Sequence, residues 1–260
     1  NPIKTIDPDG MMGMNFDAGG GSEGHTGEAQ TGYQDSGGFN HDNDGPKNKA
    51  TSSTGIEYSS VRNKDGSITV TLTVTAKLVN LSSYSTIDLN SLANKIKERG
   101  ENTLKGSTTW KRDLKNNNSK LEQISLSILL NIIPVKSISE IRGNDYAIGI
   151  IDKVSSPDVG TAGGIAELNG RYAAVGLSNL KDVGTFIHEI GHLLGLEDRY
   201  GKNGIGGVGV MFDSRSTFIT RQDVFFIATP YITNRLNSSG IQSPDIGERS
   251  LKDFIDKVQK

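Results

Sequence analysis

The sequence predicts an α+β fold, and three observations carry that prediction. Residues 67–80 alternate strictly, with Val70, Leu72 and Val74 on one face and Thr69, Thr71 and Thr73 on the other, the period of a half-buried strand. Residues 88–104 place Leu89, Leu92, Ala93 and Ile96 at helical spacing among Lys, Glu and Asn, an amphipathic helix. Two apolar runs, Leu121–Val135 and Tyr146–Val154, have the composition of interior strands, the first running into Pro134.

The other elements follow from local signals. Glu57–Arg62 and Ser67–Asn80 flank Asn63-Lys64-Asp65-Gly66, a hairpin signal. Asn169-Gly170 lies between IAEL and RYAAVGL, and both residues tolerate positive φ, so Gly164–Leu177 reads as two short antiparallel strands. Arg221–Leu236 and Glu248–Val258 read as helices, the first kinked at Pro230. From Gly10 to about Ala50 the chain is rich in Gly, Asp, Asn, Ser and Thr, and it holds too little apolar surface to offset its ordering entropy. That stretch reads as a flexible linker with His25 and His41 solvated. Within it Asp42-Asn43-Asp44-Gly45 reads as a turn, since it lacks the Glu that closes a calcium loop. The expected division is a terminal motif at 1–10, a linker at 11–55 and one folded domain at 56–260, with no internal repeat.

Composition narrows the function. A net charge of −2 over 260 residues gives no bulk basic field for nucleic acid or an anionic membrane. No run approaches the length of a membrane span, and the first residues lack the basic cluster and apolar run of a signal peptide. Because the sequence opens on Asn, a fragment or processed product is expected. With no cysteine, imidazole and carboxylate are the available metal ligands.

The chemistry concentrates in residues 188–200, HEIGHLLGLEDRY. Val183, Ile187, Ile190 and Leu194 form an apolar helical stripe across it. His188 and His192 are four apart and so lie on one helical face, where their imidazoles can converge on one cation. Glu189 can then reach a metal-activated water as general base without ligating. Gly195 suits the left-handed residue that stops the helix and swings the chain back. Three residues later Asp198, rather than its neighbour Glu197, is placed as third ligand. Two imidazoles and a carboxylate leave one tetrahedral position open, the arrangement of a catalytic rather than a structural zinc site. Gly191, inside this helix, lowers its propensity by about 1 kcal/mol.

The pattern HExxHxxGxxD resembles the extended zinc motif of the metzincin peptidases, in the Asp-containing variant of snapalysin-like enzymes, and Tyr200, two after Asp198, fits that variant. The resemblance implies zinc held by His188, His192 and Asp198, with Met211, in GVGVMFDS, in the tight turn beneath the metal. It implies a twisted mixed five-stranded sheet with one antiparallel edge strand, then the zinc helix, the Met-turn and C-terminal helices, over roughly residues 65–240. The edge strand around Gly164–Leu168 would pair with an extended protein or peptide substrate. Two features depart from the family pattern: Asp stands in place of the more usual third His, and the residues that follow Met211 lack the Tyr that some metzincins place near the metal.

The opening NPIKTIDPDG resembles the end of the core of Rhs-repeat proteins, on Asn1, Pro2, Asp7, Pro8 and Gly10. That resemblance implies a C-terminal toxin, secreted or delivered to a target cell, with a cognate immunity protein in the producer. Two function classes follow. One is a zinc endopeptidase effector; the other is a metzincin-like binding module that holds metal without turnover.

Overall fold

The structure, a computed structural model, describes residues 48–51, 56–114, 118–142, 145–156, 160–168, 170–198, 208–233 and 250–259. The Rhs-like opening, most of the linker with its two histidines and its Asp42–Gly45 turn, Asn169, Tyr200, Leu236 and Glu248 lie outside the described residues.

The chain is a mixed α+β fold built on a long strand, β3 (Ile68–Asn80), whose run of Thr and Val suits a pleated, half-buried surface. Its first half pairs antiparallel with β2 (Ile56–Arg62), closing the hairpin expected around Asn63–Gly66. Its other edge pairs in parallel along its length with β5 (Asn118–Val135), and its last residues pair in parallel with β6 (Tyr146–Ile151). Parallel β10 (Tyr172–Gly176) follows β6, and antiparallel β9 (Gly164–Ala166) ends the path. Between β3 and β5 the chain forms α1 (Leu89–Thr103), started by the Asp88 carboxylate accepting from the Ser91 amide at 3.0 Å.

The sheet holds eight strands, not five: the hairpin arm β2 adds one to that count, and two further strands were not expected from the sequence. One addition is β1 (Asn48–Thr51), which pairs with β2 inside the stretch expected to be irregular. The other is β4 (Lys105–Leu114), which pairs antiparallel with β5. Neither segment carries a clean apolar alternation, so each is a strand because a neighbour offers it a ladder. The run Tyr146–Val154 is interrupted at Asp152, which accepts from the Ser83 amide and hydroxyl. Beyond that break β7 (Val154–Ser156) and β8 (Gly160–Ala162) form a separate two-stranded ribbon.

Alternate residues of β10 separate the two layers. Ala173 and Val175 join the larger core with Val70, Leu72, Ile128 and Ile148, under α1, α2 (Val183–Leu193) and α3 (Arg221–Thr233). Tyr172 and Ala174 face the other way, onto Phe254, Ile255 and Val258 of α4 (Leu251–Val258). Pro230 lies within α3. No helix of the described residues is long and apolar enough to cross a membrane. The site is positioned by α2, which packs on β9, β10 and α1.

Candidate metal centre

Helix α2 begins where Asp182 accepts from the Gly184 amide at 3.0 Å and from the Thr185 hydroxyl at 3.2 Å. It is buried on every side from Gly184 to Leu193, not along one stripe alone, because Phe186 and Leu193 pack inward as well. The helix stops at Gly195, whose φ of 89° is the left-handed conformation. The Gly195 amide donates to the His192 carbonyl at 2.9 Å and the Leu196 amide to the Gly191 carbonyl at 3.0 Å. These nested bonds are the Schellman arrangement, and they turn the chain back across the helix end. Asp198 is thereby returned to the two histidines, while Glu197 stays exposed.

Three donors converge. Nε2 of His188 and Nε2 of His192 are 3.0 Å apart, and Oδ1 of Asp198 is 3.0 Å from the first and 3.3 Å from the second. Metal–nitrogen distances of about 2.0–2.1 Å put the donors of a tetrahedral site about 3.3 Å apart, so this triangle has the size such a site requires. The protonation pattern agrees. Nδ1 of His188 donates to the Val210 carbonyl at 2.8 Å, and Nδ1 of His192 to the Leu196 carbonyl at 2.7 Å. Both neutral rings therefore present lone pairs at Nε2, next to a carboxylate. Three electron-pair donors at this spacing require a cation among them, either a proton or a metal ion.

Contact with Asp198 favours the charged form of His192. Burial opposes its charging, but the Asp198 carboxylate, by proximity and hydrogen bonding, outweighs that and raises its pKa. Burial likewise pushes Asp198 up, and contact with His192 and His188 more than reverses this, holding its pKa below the ordinary value. All four groups are removed from bulk solvent: His188 and Glu189 are 0 % exposed, His192 1 %, and the Asp198 carboxylate 0 %.

Glu189 takes no place in the triangle. Its carboxylate lies against β9, where a Cβ on Gly164 would fall 2.9 Å from Cδ and 3.0 Å from Cγ and collide with Oε1. The absent side chain of Gly164 is the space in which the carboxylate sits. Met211 is buried under α2, and a Cβ at Gly191 would collide with its sulfur and lie 3.3 Å from its Cε. The propensity cost of Gly191 therefore has a structural return, the close approach of Met211 beneath the helix. Strand β9 pairs with β10 alone among the described residues, and its three residues are buried.

The structure thus groups His188, His192 and Asp198, places Glu189 one residue from the first donor, Gly195 at the turn and Met211 below; Tyr200 is outside the described residues. Sequence reasoning passed over Gly164, Asp182 and the carbonyls of Val210 and Leu196. An Asp three residues before Thr185, at the start of an apolar stripe, is a legible helix-start signal. Carbonyl acceptors carry no residue signature at all. Gly164 needed the fold to bring β9 against α2. No protein-family model matches the chain, and no curated protein matches it in sequence.

Proposed function

We propose that the chain is a zinc-dependent endopeptidase of the metzincin type, in the Asp-ligand variant. The observation that carries this reading is the convergence of His188, His192 and Asp198 at the edge length of a tetrahedral zinc site, with Glu189 adjacent and outside the donor set. The order of elements supports it: β3, α1, β5, β6, antiparallel β9, β10 and α2 succeed one another as the resemblance requires, with β4 and the β7–β8 ribbon as insertions.

His188, His192 and Asp198 would hold the ion. A bound zinc ion supplies Lewis-acid polarisation of a carbonyl and a water acidified to a pKa of about 7. Glu189 would act as general base toward a water attacking the peptide carbonyl and would pass the proton on to the departing amine nitrogen. The peptide lies extended along β9, the strand against which Glu189 rests, so one element aligns both substrate and base. The Rhs-like opening extends the proposal to a toxin delivered to another cell and restrained in its producer by an immunity protein.

The second reading, a binding module that holds metal without turnover, is favoured by the complete burial of the four groups. A proteome-wide cleavage profile of the native chain beside Glu189→Gln, with zinc analysis of both, separates the two. Endopeptidase action requires about one zinc per chain in each and cleavage by the native chain alone. Zinc without cleavage in either selects the binding module, and equal cleavage in both removes Glu189 from the mechanism.

A further inference from the structure

The metal-ligand histidines are oriented by two different devices. His192 donates to the Leu196 carbonyl, inside the turn that ends its own helix. His188 donates to the Val210 carbonyl, which belongs to a separate segment at 209–216 and is fixed only if that segment is fixed.

That segment is tied at several points. It closes on itself through the Phe212 and Asp213 amides, which donate to the Gly209 carbonyl at 3.0 and 3.1 Å, and through the Ser216 amide, which donates to the Asp213 carbonyl at 2.8 Å. The Val210 amide donates to the Phe218 carbonyl at 2.9 Å. Two side chains then bind it to the helices. Nη2 of Arg99, on α1, donates to the carbonyls of Arg215 and Ser216 at 2.8 and 3.1 Å. The buried Ser214 hydroxyl donates to Asp182 at 2.9 Å, on the same oxygen that accepts from Thr185, at the start of α2. The approach is close enough that a Cβ at Gly184 would collide with the Ser214 carbonyl oxygen and lie 2.7 Å from its carbon.

We propose that Arg99, Asp182 and Ser214 form a bracket that holds the Val210 carbonyl against Nδ1 of His188, and that they are positioning residues of the metal centre. This rests on the metal-binding reading above. A hydrogen bond to the far nitrogen of a ligating imidazole sets which nitrogen faces the metal and how basic it is, and its loss typically costs 10- to 100-fold in affinity. The bracket serves His188 alone, so its failure has an asymmetric signature.

The test uses the full chain with Ser214→Ala and, separately, Arg99→Met, so that each arm stands if the other variant fails to fold. Ser214→Ala leaves Asp182 free to cap α2. Nitrogen-15 NMR of the histidine rings in metal-free protein reads the Nδ1–H signals, and competition with a chelator reads zinc affinity and release rate. The expected result is a weakened or exchange-broadened Nδ1–H signal at His188 with His192 unchanged, and zinc held 10- to 100-fold more weakly with faster release. The control Ser250→Ala removes the cap of α4, where the hydroxyl accepts from the Asp253 amide at 3.2 Å; it costs comparable stability and moves neither readout. Equal changes at both histidines, or none at either, overturn the bracket. If the native chain binds no zinc, the metal reading fails by itself, while the His188 and His192 signals still decide the bracket. An absence of peptidase activity touches neither readout.

Discussion

The two ends of the sheet are built differently. Along β3 inward residues are buried and outward ones half-exposed, and β5 repeats the pattern with Leu121 and Leu129 open to solvent on its outer face. Along β6, β9 and β10 every residue is buried, because α2 covers one face of this end and α4 the other. The helix bearing the candidate site docks on the doubly covered end. A cluster of donors there is held by packing from both sides of the sheet, in surroundings that strengthen each hydrogen bond and charge contact. The singly covered end is scaffold: it anchors α1, whose Arg99 reaches the segment beneath the site.

The largest expected effect breaks the double cover. Phe254 is 1 % exposed and packs its ring against Tyr172 of β10, with centroids 6.3 Å apart. Phe254→Ala should lower unfolding free energy by about 3–5 kcal/mol, read as a fall in the urea midpoint at unchanged slope. A loss below about 1 kcal/mol would mean that α4 is an ornament and that β6 and β10 are stable with one face covered.

Next in size is the contact between the covered edge and Glu189, the proposed base. Gly164→Ala should leave zinc affinity intact, because the three nearest atoms to the added methyl all belong to Glu189, while the displaced Glu189 carboxylate lowers turnover about 100-fold, the scale of a 1 Å misplacement. The flexible end of Glu189 can swing aside, so the fold should survive. Unchanged kcat in this variant would show that the carboxylate works from another rotamer.

Burial of the donors also fixes a pH dependence. His192 has a pKa raised above its ordinary 6.5, so in metal-free protein its stabilising contribution is complete below pH 6.5 and is lost as pH rises through the raised value. Asp198 has a pKa lowered from 3.8, so its contribution is present above pH 3.8 and is lost as pH falls through the lowered value. On the proposed metal reading zinc competes with a proton at His192, so its affinity should rise with pH, up to about tenfold per unit, until the raised pKa is passed. Thermal unfolding with zinc and with chelator, over pH 4 to 9, should show a gap that widens with pH. A constant gap would mean that His192 carries no proton in the metal-free cluster.

The same contrast explains what could be read in advance. On the singly covered end the alternation of Val70, Leu72 and Val74 with threonines announced β3, and the helical spacing of Leu89, Leu92, Ala93 and Ile96 announced α1. The donors were legible because a helix four residues apart, a left-handed glycine and a carboxylate three residues on are all short-range geometry. Strands β1 and β4 were not legible, since their ladders are supplied by distant partners and not by their own periodicity. Nor were Gly164, Arg99 and Ser214, whose roles arise only when β9 meets α2 and the 209–216 segment meets α1. Burial on both faces also erases alternation, so AIGII in β6 announced an interior strand without saying which residues face α2.

The smallest effect is expected on the open face, and it is the sharpest control for the comparison. Thr71 points outward from β3 between Ser59 of β2 and Ser127 of β5, its paired neighbours in register. Thr71→Ala removes a β-branched side chain from a central strand, which costs up to about 1 kcal/mol through propensity and cross-strand packing. Nothing on this face reaches the donors, so zinc affinity and turnover should match the native chain, with only a small drop in melting temperature. A change in zinc affinity from so remote a substitution would mean that the two ends of the sheet are energetically coupled and that the open face is more than scaffold.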